Sequence, residues 1–556
     1  MISKLFDFIG GVHLTPYKEI STQQAIRSVK LPEKLILPLS QHIGASALPI
    51  VEVGDKVLKG QKIAKADGYV SAPVHAPTSG TIENIGDYPI AHPSGMSAPC
   101  IVIKPDDQDE WTPRKPHAHD YKKLDPSELR NIIRDAGIVG LGGAGFPTFI
   151  KQNPGPKGKV ETLIINGVEC EPYITCDDML MRENPESILK GIGIIKHALK
   201  AEKCIIAIED NKPKAIENMR NALMLEPLSN TELVVVPTIY PAGSEKQLIY
   251  TLTGKQVPQD GLPIHIGVVC QNVGTCTAIY RAIEFGEPLI SRIVTVTGDV
   301  GQPCNVNVPI GMPIDELIQQ CGSTTGSLRR LIIGGPMMGF AMHQTDIPII
   351  KTTNCVLVDA GQSKNLQTRA QTMPCIRCGS CAEACPVSLI PQQLYWYSKS
   401  LELNKVQDYH LFDCIECGCC DYVCPSQIPL VQYYRHAKAE IWKRERETEK
   451  SDKARERHEY RLFRLEREKQ EKAERHRQKK AALEAAKAGI DTSPKEKHND
   501  PKKAAIMAAM ERVKAKKAQQ QVKPKNTENL TEAQQKLVDE ADQRRAETKP
   551  KDKPEE

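Results

Sequence analysis

Eight cysteines constrain this chain more than anything else in it. Cys375, Cys378, Cys381 and Cys385 spell CxxCxxCxxxC ahead of Pro386, and thirty-nine positions on Cys414, Cys417, Cys420 and Cys424 repeat the pattern ahead of Pro425. Two-residue gaps let a tight loop aim three thiolates at adjacent corners of one cubane, while the fourth, carried past a helical turn, points toward a different cluster. The spacing predicts two 4Fe-4S clusters with crossed ligation: Cys375, Cys378 and Cys381 with Cys424, and Cys414, Cys417 and Cys420 with Cys385. Zinc sites and unligated thiols are the competing readings. Structural zinc usually takes two CxxC pairs with a longer spacer, and one tetrahedral ion has little use for a third closely spaced thiolate. Cys419 is expected to be a bystander. Between the motifs, Leu394, Tyr397 and Leu401 fall at helical spacing within Pro391 to Leu403, so residues 365–435 read as a helical two-cluster ferredoxin module. Neighbouring clusters pass single electrons along a line; such a module is a wire rather than a catalyst.

The other cysteines fit the same setting. Eighteen cysteines in a chain with no evident secretory leader in Met1 to Val12 point to a reducing compartment, where metal ligation or buried thiols explain them better than disulfides. The longest apolar stretch, Leu331 to Met342, is interrupted by three glycines and Pro336 and cannot cross a bilayer. A net charge of +5 over 556 residues gives no whole-chain field for nucleic acid.

At this length three to five domains are expected. After an N-terminal segment (1–30), residues 31–105 alternate short β-branched runs with Gly and Pro, the mark of a compact all-β unit. Charged text from Lys104 to Lys123, with His117 and His119, reads as a linker. Asp125 then suits an N-cap and Pro126 a first helical position, and Leu129, Ile132, Ile133 and Ala136 form one apolar face. Strands at Thr162 to Ile165, Cys204 to Ile208 and Leu233 to Val236 alternate with helices at Pro185 to Ala198 and Pro213 to Met224, as in an α/β layer covering 125–265. Residues 266–345, with a period-two run at Arg292 to Thr297 and a short helix at Pro313 to Cys321, suit a β-grasp-like unit. The charged tail, 440–556, lacks the apolar content for a core and reads as a solvated helix or disordered extension, with an alanine-rich stretch at Ala504 to Lys517; docking to anionic lipid or an acidic partner, assisting membrane association, is the alternative.

Gly140-Leu-Gly142-Gly-Ala-Gly145 matches GxGxxG but fails the context test for a dinucleotide fingerprint, because it follows a helix and runs into Phe146-Pro147 instead of following a strand and opening a helix. Its glycines still allow backbone N–H groups near a phosphate, with Lys151 as countercharge.

Longer strings carry resemblances. GDKVLKGQKIA and APTSGTI resemble the barrel-sandwich fold of biotinyl and lipoyl carrier domains; Tyr69 stands where those carriers present a lysine, which implies an unmodified scaffold. GLGGAGFPTFIK, followed by Asn166-Gly-Val-Glu169-Cys-Glu171-Pro172, resembles the FMN- and NADH-binding subunit of respiratory complex I and its hydrogenase relatives. The resemblance implies that Gly140, Gly142, Lys151, Asn166 and Glu169 contact FMN, with Gly145 completing the loop, and that Phe146 and Glu171 face the nicotinamide nucleotide. Tyr240-Pro-Ala-Gly243-Ser-Glu245 and Gln271-Asn272-Val-Gly-Thr275 look like two further motifs of that family and add Gly243, Glu245, Asn272 and Thr275. Val168 stands where the family has aspartate and Ser244 where it has a glutamate, so two polar contacts are absent.

The whole order, from GGVH at Gly10 to His13 through GGPMMG at Gly334 to Gly339 and the paired cysteine motifs to the tail, is similar to the C subunit of Rnf/Rsx-type ion-translocating electron-transport complexes over about residues 1 to 440. That resemblance implies a peripheral subunit on the cytoplasmic face of the inner membrane, with membrane-embedded and iron-sulfur subunits of the same complex as partners. Electrons would move between NAD(H) and ferredoxin or other acceptors through FMN and two 4Fe-4S clusters, coupled to ion movement. A soluble flavin and iron-sulfur NADH oxidoreductase of the diaphorase type is the alternative. A nucleic-acid-binding scaffold is disfavoured by the tail's balanced charge and few aromatic residues.

Overall fold

The computed structural model describes residues 4–117, 121–155, 158–259, 261–362, 371–488 and 511. His119 and most of the Ala504 to Lys517 stretch lie outside them.

Short alternating runs near the N-terminus fold into two small antiparallel sheets. One has the order Leu35–Pro38, Ser97–Pro105, Gly80–Pro89, Lys56–Val57; the other pairs Leu48–Pro49, Lys62–Lys65 and Val74–His75. Leu35, Leu37, Ile63, Ile82, Ile101 and Ile103 are buried between them, the burial a two-sheet sandwich needs. Tyr69 lies in the connection between the Lys62–Lys65 and Val74–His75 strands, its ring edge-on to Phe149 at 5.7 Å.

Residues from Asp125 build the next layer. Asp125 accepts from the Ser127 N–H at 2.8 Å, and Glu128 accepts from the Asp125 N–H at 2.9 Å, a reciprocal cap that starts the Pro126–Asp135 helix where Pro126 needs no donor. A four-stranded parallel sheet follows in the order Thr231–Val236, Lys203–Glu209, Thr162–Gly167, Val268–Asn272. Its strands are apolar on both faces, as parallel strands covered by helices must be: Leu163, Ile165 and Ile206 pack toward one core, Ile164, Ile205 and Val268 toward the other. From the Thr162–Gly167 strand the chain steps outward twice on one side, then returns to place Val268–Asn272 on the other. The switch point, where α/β sheets open a crevice at strand carboxyl ends, therefore lies between the strands ending at Gly167 and Asn272.

A fourth sheet is mixed, with the order Arg27–Ser28, Cys304–Pro309, Ser291–Gly298, Cys355–Asp359, Arg330–Ile333, Phe340–Met342. It draws an edge strand from the N-terminal segment and an interior strand from beyond residue 345, so the unit expected over 266–345 is completed from both sides in sequence. The Ile314–Gln320 helix buries Ile314, Leu317 and Ile318 in the main core.

The cysteine module is helical, but not as one segment between its motifs. The Pro391–Lys399 helix ends before Leu401, which takes a left-handed φ of +56° and is exposed, and Leu403–Asp408 starts a second helix. Leu401 is thus a turn residue, a correction to the helical face read from spacing. The Leu430–Ala488 helix begins by burying Val431, Tyr434, Ala437 and Ile441 on the module. Two compact units divide the chain after Ser451. In the second, the described part of the helix is solvent-facing and laced by ion pairs one turn apart, Arg455 with Asp452 and Arg464 with Glu468. No described helix is long and apolar enough to cross a membrane.

Candidate functional site

At the switch point Asn166 and Asn272 are register partners at the ends of adjacent strands. The glycine loop closes over this crevice: the Gly140 N–H donates to Phe146 O at 2.8 Å, and the Leu141 N–H donates to Thr275 Oγ1 at 3.0 Å. Gly143 has φ +112° with open space where a side chain would stand, whereas Gly145, at φ +65°, would drive a Cβ to 2.4 Å from Thr352 Cγ2. Only glycine meets both demands. Gly142, Gly143 and Ala144 are exposed, and a Cβ on Gly142 would stand 3.4 Å from the Asn272 side chain. Bare backbone beside a strand end is the cradle a flavin phosphate or ring needs, so the residues present fit FMN.

The other residues read from sequence converge here, most of them already bonded to one another. Lys151 Nζ donates to Glu245 Oε1 at 2.8 Å and to Cys270 O at 3.4 Å; burial works to lower its pKa, and Glu245 and Cys270 outweigh it, leaving it raised. Asn166 Nδ2 donates to Gly243 O at 2.8 Å. Asn272 caps the Val273–Phe285 helix by accepting from the Gly274 and Thr275 N–H groups, and its Nδ2 donates to Asp177 Oδ2 at 2.6 Å. The Glu169 carboxylate accepts from the Asp177 and Asp178 N–H groups at 2.7 and 3.2 Å, at the start of the Cys176–Glu183 helix. Burial, then the charge of Glu169, push the Asp177 carboxyl up to about 7. Glu171 turns elsewhere: its Oε1 accepts from the Met337 and Met338 N–H groups at 2.7 and 3.0 Å, in the Gly334 to Gly339 turn. Gly335 is obligatory there, since a Cβ would reach 2.0 Å from Glu171 Cγ. Phe146 is half-buried beside the loop it closes.

The cysteines gather into two sets. Burial, then the neighbouring sulfurs of Cys378, Cys424 and Cys375, raise the pKa of Cys381. Burial, then Asp421 and the sulfurs of Cys414, Cys417 and Cys385, raise that of Cys420. A small pocket is lined by Cys385, Cys414, Cys417 and Cys420 together with Val387, Leu389, Leu394, Val431 and Tyr434. Cys419 does not line it and is buried with Cys417, Tyr240 and Val12. A single zinc, with Zn–S bonds of about 2.3 Å, would draw four sulfurs to about 3.8 Å of one another. Among the described residues, the only three metal-type ligand atoms mutually within 4.8 Å belong to Glu169, Cys176 and Asp177, so neither cysteine set is gathered that tightly. Four thiols held apart around an apolar pocket fit a cubane better than an ion.

Comparisons with known proteins agree with this layout. The RnfC barrel sandwich hybrid domain matches residues 6–108, the Nuo51 FMN-binding domain 133–281, the SLBB domain 293–341 and the 4Fe-4S dicluster domain 374–428. The C subunit of the ion-translocating oxidoreductase complex of Pectobacterium atrosepticum is 46% identical over 514 residues, covering 92% of this chain and 71% of that protein. The chain belongs to the family of these C subunits. It covers a smaller share of two other members: 58% of the Pseudomonas aeruginosa protein, at 50% identity over 459 residues covering 82% of this chain, and 65% of a Vibrio cholerae protein, at 47% identity over 526 residues covering 93% of this chain. A solved NAD+-reducing [NiFe]-hydrogenase in its H2-reduced state is similar at a TM-score of 0.42 and 20% identity, over 58% of this chain and 63% of that one, too low a likeness to carry an argument.

In this member of the family the crevice and the cysteines share a seam. Tyr240 Oη donates to Cys417 O at 2.7 Å, and Gln247 Nε2 to Pro386 O at 3.2 Å. The GGVH segment lies in it: the Gly11 N–H donates to Ala384 O, and Val12 exchanges backbone hydrogen bonds with Tyr240. A Cβ on Gly10 would stand 2.7 Å from Cys385 O. Arg435 Nη2 reaches Met338 O at 3.2 Å, so the GGPMMG turn meets the crevice through Glu171 and the module through Arg435. Sequence reasoning passed over Lys18, Asp177, Tyr240 as a seam residue, and Arg292, which is buried and donates to Leu141 O at 3.2 Å. Their partners lie far off in the chain, and no local spacing signals them.

Proposed function

We propose that this chain is the electron-input or electron-output subunit of a membrane-bound, ion-translocating oxidoreductase, exchanging electrons with NAD(H) at the crevice and passing them singly through two 4Fe-4S clusters. The observation that carries the reading is the seam: the set Cys385, Cys414, Cys417 and Cys420 is hydrogen-bonded into the crevice block through Tyr240 and Gln247. Non-covalent FMN, when bound, supplies conversion between a hydride's electron pair and single electrons. Gly140, Gly142, Gly145, Asn166, Glu169, Gly243, Asn272 and Thr275 would hold it, with the Lys151–Glu245 pair at the crevice edge. Phe146 and Glu171 remain the residues assigned to the nicotinamide nucleotide, Glu171 requiring a change of partners to reach it. The set nearer the crevice is the more buried, while Cys378 is exposed, so Cys375, Cys378, Cys381 and Cys424 form the port toward the other subunits of the complex. Peripheral attachment at the cytoplasmic face of the inner membrane follows from that partnership.

Iron, sulfide and flavin analysis of anaerobically prepared protein tests the assignment. We expect two cubanes and one FMN per chain, bleaching near 400 nm on NADH addition, roughly where both groups absorb, and salt-releasable co-sedimentation with membranes. Zinc in place of iron, or a cofactor-replete sample inert to NADH, would overturn it.

A further inference from the structure

Lys18 stands on a single helical turn, Lys18–Ile20, yet its side chain is buried deep in a loop some 150 residues away in sequence. Nζ donates to the carbonyl oxygens of Glu169 at 2.7 Å, Glu171 at 3.1 Å and Ile174 at 2.6 Å, and lies 3.9 Å from Glu169 Oε2. Burial and the charge of Lys212 lower its pKa while Glu169 works to raise it, and three acceptors match the three donors of an ammonium, one more than a neutral amine carries. A buried ammonium costs several kcal/mol unless its protons are bonded, and here each one is.

The loop it holds needs holding. Glu169 and Tyr173 both take left-handed backbone, at φ +47° and +69°, which is strained for side-chain-bearing residues and persists where the surroundings over-determine it. Around Lys18 the segment straps the same loop. Tyr17 stacks on Tyr173 at 4.8 Å, the Tyr173 N–H donates to Pro16 O at 2.8 Å, and Ser21 Oγ lies 2.8 Å from Thr175 Oγ1. With the three carbonyls converged on one point, the two carboxylates take different partners, Glu169 staying within 3.9 Å of the ammonium. Glu169 goes to the helix start beside Asn272, and Glu171 to the Gly334 to Gly339 turn that meets the cysteine module.

We propose that Lys18 is a positioning residue of the flavin crevice, its ammonium fixing the Glu169 to Ile174 loop so that Glu169 faces the crevice and Glu171 ties that crevice to the seam. This rests on the FMN reading above. It gives the N-terminal segment a part in cofactor binding although no motif there announces one.

FMN titration of the full chain, followed by flavin fluorescence, together with the midpoint potential of bound FMN, tests the assignment in Lys18→Met, Lys18→Arg and, as a control for the strap, Ser21→Ala. Lys18→Met is expected to weaken FMN binding about tenfold or more, equivalent to 1.4 kcal/mol, and to make the potential more negative, because a buried positive charge favours the reduced flavin. Its iron content should stay unchanged, and Ser21→Ala, which loosens the strap without removing a charge, should weaken binding less than Lys18→Met and leave the potential at its wild-type value. Lys18→Arg keeps the charge but not the three-fold donor geometry, so it should weaken binding while leaving the potential near wild type; it decides the matter if Lys18→Met does not fold. Wild-type affinity in the folded Lys18→Met protein, or in Lys18→Arg, overturns the positioning role alone. A wild-type chain that binds no FMN overturns the flavin reading and this proposal together.

Discussion

Lys351 shows what burial does to one charge. Its Nζ donates to Pro73 O at 2.8 Å and Gly137 O at 2.7 Å, and burial takes its pKa from the ordinary 10.5 down to about 7. Between those values the folded state holds fewer protons than the unfolded one. Stability on this account therefore rises as pH climbs from 7 toward 10.5 and is flat below 7, with a slope of at most about 1.4 kcal/mol per pH unit. Lys351→Met should remove that slope, as read from the first thermal transition at pH 7 and pH 9. An unchanged slope would place its origin in another group. At Gly145, alanine must take φ +65° and meet Thr352 at 2.4 Å; the backbone alone costs about 1–2 kcal/mol. Gly145→Ala should lower both melting temperature and FMN affinity, whereas Thr352→Ser combined with it should recover part of the loss.

Elements were legible where their signals are local. The cap of Pro126–Asp135, the three strands after it and the helices starting at Pro185 and Pro213 announce themselves through Pro, Asp and apolar period, because the residues that decide them lie within a turn or two. Arg27–Ser28 could not be read: two residues have no period, and the strand exists because Cys304–Pro309 offers an edge. Leu401 misled for the complementary reason, since correct helical spacing says nothing about a left-handed turn between two helices. Most residues of the crevice were readable as motifs, but what they bond to was not, which is why Glu171 appears in the seam and Lys18 went unnoticed. The crossed cysteine sets give the element-scale prediction. Cys424→Ser should abolish the same paramagnetic signal as Cys378→Ser, although the two lie in different motifs, and Cys385→Ser should match Cys417→Ser. Pairing of phenotypes by motif instead would rule out the crossing.

At the scale of the molecule, the module's apolar contacts run past the 440 boundary read from composition. Ile441 is buried with Tyr434 and Ala437, and the Trp442 ring lies 5.7 Å from Phe412. A chain ended after Ser451 should keep its full iron content and melting behaviour, while one ended after Ala439 should lose stability in the cysteine module first. Equal behaviour of the two would show that the helix contributes nothing beyond Ala439.

The placement of Gly10 to Val12 has a consequence for biogenesis. These residues leave the ribosome hundreds of positions ahead of the groups that grip them, Tyr240 and the backbone at Ala384 and Cys385, so an early-made strip of polypeptide waits for much later ones. The seam between the crevice and the cysteine module is therefore closed only once both blocks have emerged.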